Sequence, residues 1–267
     1  MSARTSDVSV EGVSKVHFSM QGEPLLALLD VTFCVEHDEF FSIVGPSGCG
    51  KTTLLNLLAG FEQPTRGELR VGGELVREPG WERAVVFQEY ALFPWYNVRD
   101  NVRYGLQRKR LSDADQRRLV DHYIGLVGLR GFENRYPGEL SGGMRQRVSI
   151  ARALAVNPSV LLMDEPFAAL DIQTREYMQD ELLKIWQREP KTVIFITHSI
   201  DEAIKLSDRV AIMAPRPGRI AEIKTVDFPR PRDPTNPAMV RLAAEVKRWL
   251  RQQVFEASPE AAGAAAR

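Results

Sequence analysis

Short unbroken apolar runs along this chain alternate with longer stretches in which apolar side chains recur every third or fourth position. FFSIV (Phe40–Val44), VLLM (160–163) and TVIFIT (Thr192–Thr197) are of the first kind, apolar and β-prone as buried parallel strands are. KTTLLNLLAG, after the first run, reads as a helix stopping at Gly60, and residues 172–188 read as another between the second and third runs. Strand, loop and helix in that order predict an α/β core on a mainly parallel sheet. The middle of the chain keeps a helical rhythm throughout. LSDADQRRLVDHYIGLVGL opens with Ser112 and Asp115 in capping-box spacing and carries Leu119, Tyr123, Ile124 and Val127 along it, while Met144, Val148, Ala151 and Ala155 follow Ser141 as an N-cap. An inserted helical subdomain is therefore expected over about 89–157, with VRDNV and NRYPGEL as its irregular connections. VSVEGVSKVHF and LLDVTFCV alternate in polarity, which predicts a small N-terminal antiparallel β layer beside the core. After residue 230 the chain predicts one amphipathic helix with Met239, Leu242, Val246 and Trp249 on one side, then a flexible tail, ASPEAAGAAAR. The expected organisation is one domain over 1–230 and a helix with tail over 231–267.

Composition narrows the classes that fit. The chain has 267 residues, 44% of them hydrophobic, enough for a substantial core. Lys plus Arg and Asp plus Glu both total 35, so no basic excess points to nucleic acid as a partner. Cys34 and Cys49 alone do not make a disulfide framework, and a reducing compartment, the cytoplasm, is expected. The first thirty residues lack the pattern of a signal peptide, and no apolar run approaches bilayer-spanning length. Any membrane part of the function is expected on another chain.

Chemistry enters at GPSGCGKTT, residues 45–53, which fits G-x-x-x-x-G-K-[ST] between a predicted strand and a predicted helix. Gly45, Gly48 and Gly50 let backbone amides curl around phosphate oxygens, with Pro46, Ser47 and Cys49 filling the loop between them. Lys51 would reach the β- and γ-phosphates, Thr52 would hold Mg²⁺ through its hydroxyl, and Thr53 would add a hydrogen bond to a phosphate. Bound nucleotide is expected to shield the Cys49 thiol from reagents. VLLMDE then places Asp164 and Glu165 at the end of an apolar strand, where parallel sheets carry their sites. Asp164 suits the metal and Glu165 the polarising of a water. His198, ending TVIFITH, is a candidate hydrogen-bond donor to the γ-phosphate or positioner of water. LSGGMRQR adds a second glycine-rich element: Ser141, Gly142 and Gly143 open a helix and form an anion site with no lysine of its own.

With that stretch the chain resembles the ATP-binding subunits of ABC transporters, from about residue 8 to 223. LSGGMRQR is similar to the ABC signature, GPSGCGKTT to the Walker A and VLLMDE to the Walker B, with Glu165 as catalytic base. The resemblance makes Gln88 in VVFQEYALFPW the Q-loop glutamine, near Mg²⁺ and the attacking water, Asp171 in AALD the D-loop acid, and His198 the switch histidine. It implies a P-loop NTPase core of the RecA-like type, ATP and Mg²⁺ as cofactors, and a head-to-tail pair of copies. In that pair each ATP lies between Lys51 of one copy and Ser141, Gly142 and Gly143 of the other. The adenine would stack on His17 or Phe18, of which Phe18 is favoured. Ser199 stands where an acid often follows the switch histidine.

The same resemblance implies partners. Tyr90, Phe93, Trp95 and Tyr96 crowd the stretch after Gln88 and would border the groove for a membrane-spanning permease subunit, docking near residues 88–96. VFQEYALFPW, DRVAIMAPRPGRI and FPRPRDP resemble the importers of the nitrate, sulfonate and taurine group, which implies uptake of a small organic or inorganic anion and an extracytoplasmic substrate-binding protein. Locally, APRPGRI reads as a tight turn between two strands. The expected place is peripheral, on the cytoplasmic face of the inner membrane. The alternative class is a soluble ABC ATPase of DNA repair or translation, which usually carries a coiled-coil insertion or two cassettes; neither is present in this sequence.

Overall fold

The structure, a computed structural model, describes residues 6–256. The stretch read as a tail begins at residue 257 and lies outside the described residues. Two compact units divide the chain: Met1–Gly80 with Thr192–Arg267, and Trp81–Lys191.

In the first unit the chain runs β1 (Ser6–Phe18), β2 (Pro24–Glu36), β3 (Phe40–Val44), α1 (Lys51–Ala59), β4 (Arg66–Val71) and β5 (Glu74–Leu75). The second unit holds β6 (Arg83–Val86), α2 (Val98–Arg103), α3 (Asp113–Leu126), α4 (Gly142–Ala155), β7 (Val160–Asp164) and α5 (Ile172–Arg188). The chain then returns to the first unit as β8 (Thr192–Thr197), α6 (Ile200–Leu206), β9 (Arg209–Ala214), β10 (Arg219–Thr225) and α7 (Pro237–Glu256).

The antiparallel layer is present and larger than expected, in the order β2-β1-β4-β5. Val8, Val10 and Val13 of β1 share one buried face of this sheet with Val31, Phe33 and Val35 of β2 and Leu69 and Val71 of β4. β3 is buried along its whole length and runs parallel to β8 on one side and β9 on the other. β10 pairs antiparallel with β9 across the turn at residues 215–218, as APRPGRI implies. A cluster of Val44, Ile200, Ala203, Ile204, Val210 and Ile212 packs against Met239, Ala243 and Val246 of α7, with Leu242 and Trp249 alongside.

In the second unit β6 runs parallel to β7, and α2, α3 and α4 pack on one another. VRDNV is not an irregular connection: it forms most of α2, capped by Asn97, whose Oδ1 accepts from Asp100 N at 2.8 Å. Six residues are too few to show a helical period, but Val98, Asn101 and Val102 are its buried side. NRYPGEL stays irregular apart from a 3₁₀ turn at Pro137–Glu139.

Candidate functional site

Residues 45–53 leave β3 and enter α1, and the loop is wound too tightly for side chains at Gly45 and Gly50. A Cβ on Gly45 would lie 2.6 Å from Cys49 Sγ and 2.9 Å from the Met213 carbonyl oxygen. Gly50 has φ of 93° and stands as the N-cap of α1 with no side-chain hydrogen bond, so no capping side chain covers the positive end of the helix. Lys51 is buried, and its Nζ donates to the carbonyls of Gly45 at 2.9 Å and Pro46 at 3.1 Å. Thr52 and Thr53 follow in the first turn. A cradle a Cβ would fill, helix amides and an ammonium folded into the turn together fit the oxygens of a polyphosphate.

Cys49 corrects an expectation. The protein itself buries it completely, and burial pushes its thiol pKa up against the pull of Lys51. Reagents are kept from the thiol by the fold, so its labelling does not report on nucleotide.

Elsewhere in the first unit, His198 is exposed directly after β8. The residues on either side of it are fixed. Thr197 Oγ1 donates to the Glu202 carboxylate and accepts from Ser199 N at 3.0 Å, while Ser199 Oγ accepts from Glu202 N at 3.3 Å. Ser199 is thus a working N-cap of α6, which is the task an acid at this position would do. At the end of β1, Phe18 is 72% exposed, whereas His17 Nδ1 lies 3.7 Å from Glu62 Oε2. Phe18 is the ring more open to stacking.

The second unit presents the remaining residues. Asp164 closes β7, and Glu165 follows with φ of 44°, a left-handed conformation that costs about 1 kcal/mol or more for a residue with a side chain. Strain of this kind persists where neighbours over-determine it, and Ala168 N donates to the Glu165 carbonyl at 3.1 Å to close the turn. Asp171 caps α5, its Oδ1 accepting from Thr174 N at 3.0 Å, and the hydrogen bonds from Thr174 hold its carboxyl below the usual range. Ser141 caps α4, its Oγ accepting from Met144 N at 3.3 Å. The two glycines behind it are packed by their own unit: a Cβ on Gly142 would lie 3.1 Å from Tyr90 Oη, and one on Gly143 would lie 3.1 Å from Thr174 Cγ2. The close approach to the backbone that the glycines imply is therefore made in part by the same chain.

The model of the family described as ABC transporter matches residues 28–168. An uncharacterised ABC transporter ATP-binding protein of Methanocaldococcus jannaschii is 48% identical over 249 residues, 93% of each chain. The nitrate import ATP-binding protein of Synechococcus elongatus is 47% identical over 228 residues, 82% of this chain and 83% of its own. The taurine import ATP-binding protein of Roseobacter denitrificans is 49% identical over 213 residues, 80% of each. Among solved structures, a dimeric ATP-binding cassette in a post-hydrolysis state, bound to ADP and Pi, matches with a TM-score of 0.71 at 31% identity, covering 83% of this chain and 99% of that one. The chain belongs to the ABC transporter family. It is an ATP-binding cassette, the ATPase of a transporter.

Two residues of the cassette that motif reading passed over organise the stretch after Gln88. Asn101 is fully buried in α2; its Oδ1 accepts from Phe93 N at 3.0 Å and its Nδ2 donates to the carbonyls of Tyr96 at 2.9 Å, Asn97 at 3.0 Å and Phe93 at 3.2 Å. Phe93 is the hub of an aromatic cluster, with ring centroids 4.4 Å from Tyr104 and 5.6 Å from both Trp95 and Tyr96. Trp95 nonetheless remains 67% exposed. From α4, Arg152 donates to the carbonyls of Ala91 at 2.7 Å and Tyr90 at 3.2 Å and lies 5.5 Å from the Phe93 ring centre. Arg145 covers the Tyr90 ring at 5.4 Å. The helix of LSGGMRQR and the aromatic stretch are thereby tied by two arginines. An asparagine at the fourth position of a capped helix and an arginine further along the signature helix carry no motif, so only the backbone carbonyls they meet reveal them.

Proposed function

We propose that this cassette is the ATP-hydrolysing subunit of an importer for a small oxyanion, working as a head-to-tail pair under a separate membrane subunit on the cytoplasmic face. The observation that carries the importer reading is that relatives named for nitrate, bicarbonate and taurine align over about four-fifths of the chain at 47–49% identity. Nitrate, bicarbonate and the sulfonate of taurine share oxyanion chemistry. An extracytoplasmic binding protein would deliver the cargo, and the permease would dock on the aromatic stretch near residues 88–96. Among the described residues no helix is long and apolar enough to cross a membrane.

The roles follow the chemistry of each group. Lys51 and the amides of residues 45–53 hold the phosphates, and Phe18 stacks on the base. Thr52, Gln88 and Asp164 would hold Mg²⁺, which would offset the charge that builds during transfer. Sharing ligands with substrate is usual for this ion, and among the described residues no group of three His, Cys, Asp or Glu forms a metal cage. Glu165 takes the proton of the attacking water, and His198 hydrogen-bonds the γ-phosphate. Ser141, Gly142 and Gly143 of one copy grip the ATP held by Lys51 of the other, with Asp171 at the same interface. Loss of the γ-phosphate weakens that grip and reopens the pair.

Glu165→Gln tests this reading, because an amide cannot accept the proton. The variant is expected to bind MgATP, elute as a dimer in its presence, and lose at least about 100-fold in kcat. A variant that turns over ATP at the parental rate removes Glu165 from the role of base. The cargo is tested separately, by comparing uptake of nitrate, bicarbonate and taurine in cells with and without the gene. Uptake of all three unaffected by its loss overturns the oxyanion assignment.

A further inference from the structure

FPRPRDP marks a resemblance in the sequence, but the ATPase roles above leave its two arginines unused. Both converge on one end of α6. Helix α6 ends without glycine, at Leu206, and Ser207 beyond it is extended. Such an end leaves the carbonyls of the last turn without intrahelical donors. Arg232, only 6% exposed, supplies them: its Nη1 donates to the carbonyls of Ile204 at 2.7 Å, Lys205 at 3.3 Å and Ser207 at 2.5 Å. Its other nitrogens reach Val226 at 2.9 Å and Phe228 at 3.1 Å. Arg230 takes the remaining carbonyl, that of Leu206 at 2.6 Å, and pairs with Asp208 at 2.6 Å. Asp208 in turn accepts from Phe40 N at 2.9 Å, at the start of the strand that leads into the phosphate loop. Burial, and then the neighbouring Arg230, pull the Arg232 pKa down to about 10, so the guanidinium is still charged at neutral pH. A cation at the negative end of a helix, satisfying the carbonyls directly, is the favourable arrangement.

The other end of the same helix is capped by Ser199, directly after His198. The helix is only seven residues long: Glu202 in its first turn takes part in the hydrogen bonds with Thr197 and Ser199 that fix the peptide on both sides of the histidine, and the clamp takes its carbonyls from Ile204 onward. So short an element, held at one end by two arginines and packed against Met239, Ala243 and Val246 of α7, has little length over which to bend between the clamp and the histidine.

We infer that Arg232, seconded by Arg230, is a positioning residue for ATP hydrolysis, setting the imidazole of His198 through α6. The inference rests on the assignment of His198 to the γ-phosphate. It places the arginines of FPRPRDP in the catalytic cycle without contact to nucleotide, and separates their role from simple support of the fold.

The test uses the full chain and measures kcat, KM for ATP and melting temperature for Arg232→Met, Arg232→Lys and Arg230→Gln. His198→Gln and Val10→Ala serve as references, the latter a core truncation in β1 remote in the chain from α6. Arg232→Met is expected to lower kcat about tenfold at unchanged KM, since a small misplacement of a catalytic group costs rate more than binding. Arg232→Lys, which keeps the charge without the fork, falls between Met and the parent. The sequence has four histidines, so ring NMR resolves the His198 signal by its absence in His198→Gln. That signal is expected to shift in Arg232→Met while those of His37 and His122 stay, and Val10→Ala, though less stable, keeps its kcat. A folded Arg232→Met with parental kcat, or with an unmoved His198 signal, overturns the inference. If neither Arg232 variant folds, Arg230→Gln is judged by the same two criteria. His198→Gln with parental kcat instead overturns the assignment of His198, whatever the arginines do.

Discussion

Two buried amides of the second unit show how far identical chemistry diverges with context. Asn101 meets one backbone donor and three backbone carbonyls, whereas Gln146 in α4 is equally buried with neither side-chain oxygen nor nitrogen hydrogen-bonded. Removing a satisfied buried amide strands its partners, while removing an unsatisfied one relieves a desolvation cost. Asn101→Ala is expected to cost about 3 kcal/mol, and Gln146→Met, similar in shape, to gain about 1 kcal/mol. Urea unfolding reads both as shifts of midpoint in opposite directions; a loss on Gln146→Met would mean that the amide has a partner in solution. Legibility at this scale follows the same division. The phosphate loop could be read because its glycines, lysine and hydroxyls are all demanded by one ligand in one order. Asn101 and Arg152 could not, since their partners are backbone carbonyls that any residue supplies.

Among the elements, those long enough to show a period between marked ends were readable and the shortest were missed. α1 stops at Gly60, and α3 starts at Ser112, whose Oγ accepts from Asp115 N at 3.1 Å and donates to its carboxylate at 2.6 Å. α2 is six residues and β5 is two, too short for a period to emerge, and β4 offers only Leu69 and Val71 as buried apolar positions. The tie from α4 to the aromatic stretch lies at this scale too. Arg152 presents a fork to two carbonyls and a face to Phe93, an arrangement that a lysine cannot reproduce. Arg152→Lys is therefore expected to leave α4 folded but to loosen residues 90–97, raising their amide exchange about tenfold in hydrogen–deuterium measurements. Unchanged exchange there would assign the order of the stretch to Asn101 alone.

At the scale of the whole molecule, the alternation of buried strands with helices made the α/β class legible, and the ordered motifs made the family legible. The division into units was not: its second unit begins at Trp81 and takes in β6, β7 and α5 as well as the inserted helices, a grouping made by contacts rather than by composition. The placing of α7 was half legible. Its apolar stripe was visible, but the surface that receives it joins Val44 of β3 to α6 and β9, a meeting that only the fold brings about. Ending the chain at Asn236 removes α7 while keeping Arg230 and Arg232. Met239 and Val246, 4% and 2% exposed, are buried core side chains whose loss, with the apolar surface they cover, is expected to cost at least about 3 kcal/mol, a large share of a domain's stability. Dye binding and a lowered melting temperature would report that exposure. The clamp on α6, however, is made by residues before the cut. ATP turnover per folded molecule should therefore remain near the parental value at a temperature below the new transition. If turnover falls with α7 while the truncated chain is still folded, the position of α6 depends on its covering helix as much as on its arginines.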